Sequence, residues 1–370
     1  MIFSKQHIST PAVLVDEAIL KRNIARYQTA CNNYNKHLWP MIKTHKSTAI
    51  AKMQQEQGAC GFLCGTLDEC EALASAGISN IMYAYPVASQ PALSRAVELA
   101  RRCNFFARID GAESGRLLAE AAIDVRINYT IIIDSGLHRF GVRPNQAVEL
   151  ACALAQYPAL CLRGISTHPG HVYAASSPAD VRRYTQDEKN AMSEAACALE
   201  TAGYRLDFIS GGSTPTFMSS LSDETIKILH PGNYVFNDAV QITLGAAATE
   251  DCALTILATV VSSPHNGIFI IDAGSKTLGL DKGAHGNAAL NGYGIIKNHP
   301  NLTISALSEE VGKIEASADT TLKVGDKIEI IPNHACVPAN LTSFLILCRE
   351  NEVVGSIEVD IRGNSLMYSY

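Results

Sequence analysis

The sequence predicts an α/β protein: a (β/α)8 TIM barrel followed by a β-rich domain. Three observations carry this. Between about residues 38 and 235, short apolar runs alternate with segments of helical period, and eight such runs can be counted. Polar and glycine-rich residues cluster where those runs end. After about residue 245 helical periodicity nearly vanishes, and short β-branched runs separated by Gly, Asn and Pro take over.

The eight runs are residues 37–44, 61–66, 81–86, 105–110, 129–134, 161–167, 206–210 and 228–234. Residues 68–76, 90–102 and 146–156 carry apolar side chains at helical spacing, and Gly77 is placed to cap the first of these segments. An open doubly wound sheet is the other arrangement such alternation allows. No Gly-rich dinucleotide fingerprint opens the first unit, which favours the barrel. Residues 255–262, 267–272, 327–332, 344–348 and 353–361 read as strands of the second domain. The expected division is 1–245 for the barrel and 246–370 for the β-rich domain, the first residues being free to join the latter.

The bulk numbers narrow the function classes. A chain of 370 residues exceeds what one core usually serves. With 47% hydrophobic and 18% charged residues it is a folded globular protein, not a disordered one. Its net charge of −6 gives no attraction to nucleic acid or anionic membrane, so a small molecule is the expected partner. No apolar run is long enough to span a bilayer, and residues 1–5 show no secretory signal. The 11 cysteines then read as reduced thiols of a cytoplasmic protein, with Cys60 and Cys64 as small core residues in an apolar run, not metal ligands.

The segment Trp39-Pro40-Met41-Ile42-Lys43-Thr44-His45-Lys46 is the most informative. Lys43 closes the first apolar run, and barrel chemistry sits at the C-terminal ends of strands. A lysine among apolar neighbours loses its proton readily and can serve as a Schiff-base amine. Taken alone, Lys43 reads as a solvated lysine just past a strand. Two later segments change that. Gly211, Gly212, Ser213 and Thr214 follow the seventh run, and Gly232, Asn233 and Tyr234 close the eighth. Barrel phosphate sites are commonly built from the loops after these two strands. Each segment alone also reads as a tight turn. With Lys43 they point to a phosphorylated aldehyde cofactor.

At this point the chain resembles the fold-type III pyridoxal-phosphate enzymes, in particular the D-serine dehydratase and D-threonine aldolase family, whose barrel is shared with alanine racemases. The resemblance runs over nearly the whole chain. Its motifs include Thr10-Pro11-Ala12, Lys43-Thr44-His45-Lys46, Asp134-Ser135-Gly136-Leu137-His138-Arg139-Phe140-Gly141, Thr167-His168-Pro169-Gly170-His171, Pro231 to Tyr234 and Pro332-Asn333-His334-Ala335-Cys336. It implies that Lys43 carries pyridoxal phosphate and that Arg139 lies near the cofactor's phenolic oxygen. It implies that His168 packs on the ring, that Tyr173 lies in the pocket, and that Thr214, Gly232, Asn233 and Tyr234 hold the phosphate. By residue type, Arg139 also reads as a structural ion pair, and His168 and Tyr173 as satisfied loop residues.

There are departures. Trp39 and Met41 stand where the family often has Arg and His, and Glu309-Glu310-Val311-Gly312 replaces the family's Glu-Glu-His-Gly. The predicted pocket is thus not a complete copy of the family's, and a difference in substrate choice or proton relay is expected.

His334 and Cys336 lie two apart after an extended run, so on a strand they share a face. Imidazole with thiolate suits zinc, although the spacing alone fits an unrelated pair near a turn. In the family a His-x-Cys pair marks zinc-dependent dehydratases and His-x-Asp the aldolases, which use manganese or magnesium. The resemblance therefore implies dehydration of a D-3-hydroxy amino acid, D-serine first, in a homodimer. Retro-aldol cleavage of D-threonine, racemisation and non-catalytic cofactor binding are the alternatives.

Overall fold

The computed structural model describes residues 4–281, 289–316 and 320–362, so Met1, Ile2 and Phe3 of the N-terminal stretch read above lie outside the described residues. It contains two sheets. The N-terminal strand, β1 (Ala12–Asp16), belongs to the second of them. Asp16 then accepts a hydrogen bond from Ile19 N at 2.9 Å and starts the helix Glu17–Asn33. That helix buries Leu20, Ile24, Tyr27 and Cys31, a helical-period stripe laid on the barrel.

The barrel strands are β2 (His37–Leu38), β3 (Phe62–Cys64), β4 (Asn80–Tyr83), β5 (Asn104–Ile109), β6 (Ile127–Ile132), β7 (Leu160–Ser166), β8 (Phe208–Gly211) and β9 (Ile228–Leu229). All pair in parallel, in the order β2-β9-β8-β7-β6-β5-β4-β3. The seam between β2 and β3 is closed by Leu63 N donating to Pro40 O at 2.9 Å and by a parallel bridge between Met41 and Leu63. All eight expected runs are strands; β5, β6 and β7 have the expected lengths, and the other five are shorter than the apolar runs suggest. Pro40 and Pro231 lack the N–H a ladder needs, so β2 and β9 stop after two residues. Lys43 therefore does not end a strand. It sits in the single helical turn Ile42–Thr44 just beyond one.

Helices Leu67–Ser75, Gln90–Arg102 and Ala147–Ala155 match the periodic segments to within a residue or two. Inside the barrel, Trp39 packs edge-on against Phe106, with ring centroids 5.5 Å apart, and near Phe208 at 5.9 Å. Together with Met41, Leu63 and Met82 these rings form an apolar plug below the mouth. Trp39 is thus part of the barrel floor. Cys64 is buried as expected, whereas Cys60 is exposed, with Trp39 Nε1 donating to its sulfur at 3.3 Å.

The second sheet comprises β10 (Leu254–His265), β11 (Ile268–Ile271), β12 (Ile295–Ile296), β13 (Leu302–Leu307), β14 (Gly312–Ala316), β15 (Lys327–Ile331), β16 (Phe344–Arg349) and β17 (Glu352–Glu358). β1 lies between β10, to which it is antiparallel, and β16, to which it is parallel. The first residues of the chain thus pair with the last part of it. Val311 is exposed at the turn between β13 and β14. His334 and Cys336 are not on a strand: Pro332 ends β15, and Cys336 opens the short helix Cys336–Leu341. The two side chains therefore do not share a strand face; a turn brings them together instead. No helix among the described residues is long and apolar enough to cross a membrane.

Candidate active site

A cavity opens at the C-terminal ends of the barrel strands, where the second domain meets the mouth. Its walls include Lys43, Arg139, His168, Tyr173, Ser213, Gly232, Asn233, His334 and Cys336. Residues almost 300 positions apart in sequence thus face one space: Cys336 Sγ lies 3.4 Å from Thr44 Oγ1, beside Lys43.

The two lysines of the Lys-Thr-His-Lys segment have separate fates. Lys46 Nζ is 2.6 Å from Glu69 Oε1, a pair whose side chains are 10% and 0% exposed. Glu69 also accepts from Gly65 N at 2.6 Å. Among the described residues Lys43 has no carboxylate partner, is half-buried, and lines the cavity. Only Lys43 is free for chemistry.

Arg139 lies 5.4 Å from the Phe140 ring centroid and 5.8 Å from that of Tyr85. Its loop is folded around Asp134, which accepts from Gly136 N and His138 N, both at 3.0 Å, and pairs with His138 Nδ1 at 2.7 Å. His168 has its pKa held well below the ordinary value, first by burial and then by the positive charges of Lys43, Arg139 and Arg108. It is a neutral imidazole at physiological pH. Tyr173 keeps its proton because burial raises its pKa, and its hydroxyl bonds Gln241.

The glycine-rich loops are only partly as expected. Ser213, Gly232 and Asn233 line the cavity; Gly211, Gly212, Thr214 and Tyr234 lie behind it. Thr214 Oγ1 accepts from Tyr234 N at 3.2 Å, so those two tie one loop to the other. The Tyr234 ring is fully buried, stacked 4.3 Å from Tyr27, with its hydroxyl accepting from Gln54 at 2.8 Å. A side chain at Gly232 would meet Met41 O at 2.9 Å, so glycine is what lets the loop pass this close to the strand end beneath it.

Behind the first loop stands Glu188, which sequence reading missed. It is fully buried, and its Oε1 accepts from Gly212 N at 2.6 Å. Burial pushes its pKa up to about 8. The folded protein therefore keeps this carboxyl protonated where the unfolded chain ionises it, and loses stability as pH rises from about 5 to about 8. Glu188→Gln keeps the acceptor and removes the titration. Thermal midpoints of the wild type should fall behind those of the variant across that window; parallel curves would show that Glu188 does not titrate there.

Two further lining residues were also missed. Arg108 is 4% exposed; its Nε donates to Ser166 Oγ at 2.8 Å, while one terminal nitrogen has no partner among the described residues. Burial lowers its pKa to about 10, leaving it charged. His230 bonds Trp39 O through Nδ1 at 2.8 Å, and its Nε2 is likewise unpartnered. A buried donor and a buried acceptor without partners, both lining one cavity, call for a polar guest.

The ring of His334 and the sulfur of Cys336 are within hydrogen-bond reach of each other. Burial raises the Cys336 pKa, but His334, the Thr44 hydroxyl and Lys43 outweigh it and hold the thiol below its ordinary range. Among the described residues no group of three or more His, Cys, Asp or Glu side chains is arranged to hold a metal. The departures from the family motif divide similarly: Met41 lines the cavity, whereas Trp39 and Val311 do not.

Residues 15–239 match the alanine racemase N-terminal domain, and residues 253–348 match the putative serine dehydratase domain. D-serine dehydratase of Dictyostelium discoideum is 30% identical, with 95% of this chain and 96% of that protein covered. The chain belongs to the D-serine dehydratase and D-threonine aldolase family of fold-type III pyridoxal-phosphate enzymes.

Other members of the family align as fully. D-threo-3-hydroxyaspartate dehydratase of Delftia sp. (strain HT23) is 31% identical, with 94% of this chain and 96% of that protein covered. Its solved structure superposes with a TM-score of 0.90 at 28% identity, covering 98% of this chain and 100% of that one. It has also been solved as a histidine variant and as a metal-free cysteine variant, the two positions lying two residues apart. D-threonine aldolase from Filomicrobium marinum superposes with a TM-score of 0.90 at 27% identity, covering 99% of each chain.

Proposed function

We propose that this protein is a pyridoxal-phosphate- and zinc-dependent lyase that removes water from a D-3-hydroxy amino acid, converting D-serine to pyruvate and ammonia. The observation that carries the reading is that His334 and Cys336 face the same cavity as the unpaired Lys43. The residues fit the cofactor: a lysine without a carboxylate partner, orphaned nitrogens of Arg108 and His230 in the wall, and a loop with glycine at its point of closest approach. They also fit zinc, since a thiol held below its usual pKa and an imidazole make a soft donor pair. The dehydratases among the relatives, and the metal-free cysteine variant of one of them, support the same assignment.

Pyridoxal phosphate bound here supplies an electron sink for the pair left on the substrate's α-carbon. Lys43 Nζ is the point of covalent attachment and the base that takes the α-proton. Arg139 would offer its charge to the cofactor's phenolic oxygen, and neutral His168 would pack on its ring. Ser213, Gly232 and Asn233 would hold the phosphate, with Gly211, Gly212, Thr214 and Tyr234 supporting those loops. Tyr173 closes the pocket. Zinc held by His334 and Cys336 supplies a Lewis acid that makes the β-hydroxyl a better leaving group. Loss of the α-proton and the β-hydroxyl leaves an enamine with the carbon skeleton intact, and water converts it to pyruvate and ammonia.

The barrel is assigned to residues 1–245, with the first residues joining the β-rich domain through β1, and that domain, with the metal pair, to 246–370. The functional unit is a homodimer in the cytoplasm, a compartment suited to 11 free thiols. Chelation of zinc should abolish pyruvate formation from D-serine while the cofactor's visible absorbance persists, and added zinc should restore turnover. Full activity after chelation would overturn the zinc assignment.

A further inference from the structure

We infer that Asp238 is the residue that positions His334 for the metal, by fixing which ring nitrogen is left free. The inference rests on the zinc pair proposed above. Asp238 does not line the cavity and is 0% exposed. It lies just past the eighth barrel strand, where Oδ1 accepts from Gln241 N at 3.0 Å and caps the helix Ala239–Thr243. Oδ2 faces the opposite task. It takes Asn233 Nδ2 at 2.6 Å, Ala335 N at 2.8 Å and His334 Nδ1 at 3.1 Å.

A carboxylate can only accept, so the nitrogen facing it must carry the hydrogen. His334 therefore carries its hydrogen on Nδ1, which leaves Nε2 as the nitrogen that can bind a metal. The ring is also fixed in orientation, because the chain on either side of it is docked on the same short helix. Ala335 N donates to Asp238 itself, and the carbonyls of Pro332 and Asn333 accept from Ala239 N and Val240 N at 3.1 and 3.2 Å. A buried carboxylate behind a ligating imidazole raises the basicity of the metal-bound nitrogen, and losing it typically costs about 10- to 100-fold in metal affinity. Asn233, a cavity residue on the phosphate side, shares the same oxygen. One buried carboxylate therefore aligns the barrel loop and the metal loop.

The test is zinc affinity, measured by competition with a chromophoric chelator on the full-length, cofactor-loaded protein. Asp238→Asn should bind zinc about 10- to 100-fold more weakly while its cofactor absorbance stays close to that of the wild type. An affinity within twofold of wild type would overturn the inference. So would a loss of zinc that comes only together with loss of the cofactor band, because Asp238 would then be a general structural element. His334→Ala separates this claim from the one beneath it. Zinc retained by His334→Ala sinks the metal pair and this inference together; zinc lost by His334→Ala but kept by Asp238→Asn sinks this inference alone. Should the Asp238 variant fail to fold, nitrogen-15 spectra of zinc-loaded wild type decide. His334 must show a protonated Nδ1 and a metal-bound Nε2, and metal on Nδ1 contradicts the assignment.

Discussion

Lys43→Ala should fold normally yet lose turnover by about 1,000-fold or more, because it removes the attachment amine and the base in one step. Lys46→Ala should do the opposite. Its partner Glu69 is 0% exposed and would be left as an unpaired buried charge. Breaking such a pair from one side costs about 3–5 kcal/mol, so this variant should melt well below the wild type. Borohydride reduction and peptide mapping check the same point chemically: the pyridoxyl label belongs on Lys43. A label on Lys46, or a Lys43→Ala protein with near-normal rates, would contradict the assignment. Circular dichroism melts of the two variants should separate them as clearly as the rates do.

Cys336→Ala carries the second large effect. The thiol sits between His334 and Thr44 and lines the cavity with Lys43. Removing it should take zinc content from near one per chain to near zero. Dehydration should slow by about 100- to 1,000-fold, the several kcal/mol a Lewis acid contributes at a leaving oxygen. Cys336→Asp keeps an anionic ligand but exchanges soft sulfur for hard oxygen, so metal preference should move toward manganese or magnesium. Metal analysis and pyruvate assays of both variants check this. Full zinc and full activity in Cys336→Ala would remove the main support for dehydration over aldol cleavage.

Much of this was legible in the sequence, for identifiable reasons. The barrel strands announce themselves as apolar runs because parallel strands covered by helices are buried on both faces. Their lengths were overread where proline cuts the ladder, at Pro40 and Pro231. Lys43, His334 and Cys336 stand out by residue type and motif. The supporting residues do not, because their roles exist only through distant contacts. Glu188 lies in the long helix Pro178–Thr201 among charged neighbours, and nothing local says that its carboxyl is turned inward to Gly212. Asp238 caps a five-residue helix too short to show a period. Tyr234 is named by its motif position, but that its ring would fill the core beside Tyr27 is not legible there. Arg108 did leave a signal. It stands two residues from Phe106 on β5, so both side chains point to the same face of the barrel, and a charge there is unusual enough to flag.

The most direct test of the central claim uses a substrate that both rival reactions can consume. D-threonine given to the cofactor- and zinc-loaded protein can lose water, yielding 2-oxobutyrate and ammonia, or break its Cα–Cβ bond, yielding glycine and acetaldehyde. All four products are read in one reaction, beside a D-serine control that should give pyruvate. The account predicts 2-oxobutyrate and ammonia in equal amounts with no acetaldehyde; glycine and acetaldehyde as the main products would contradict it.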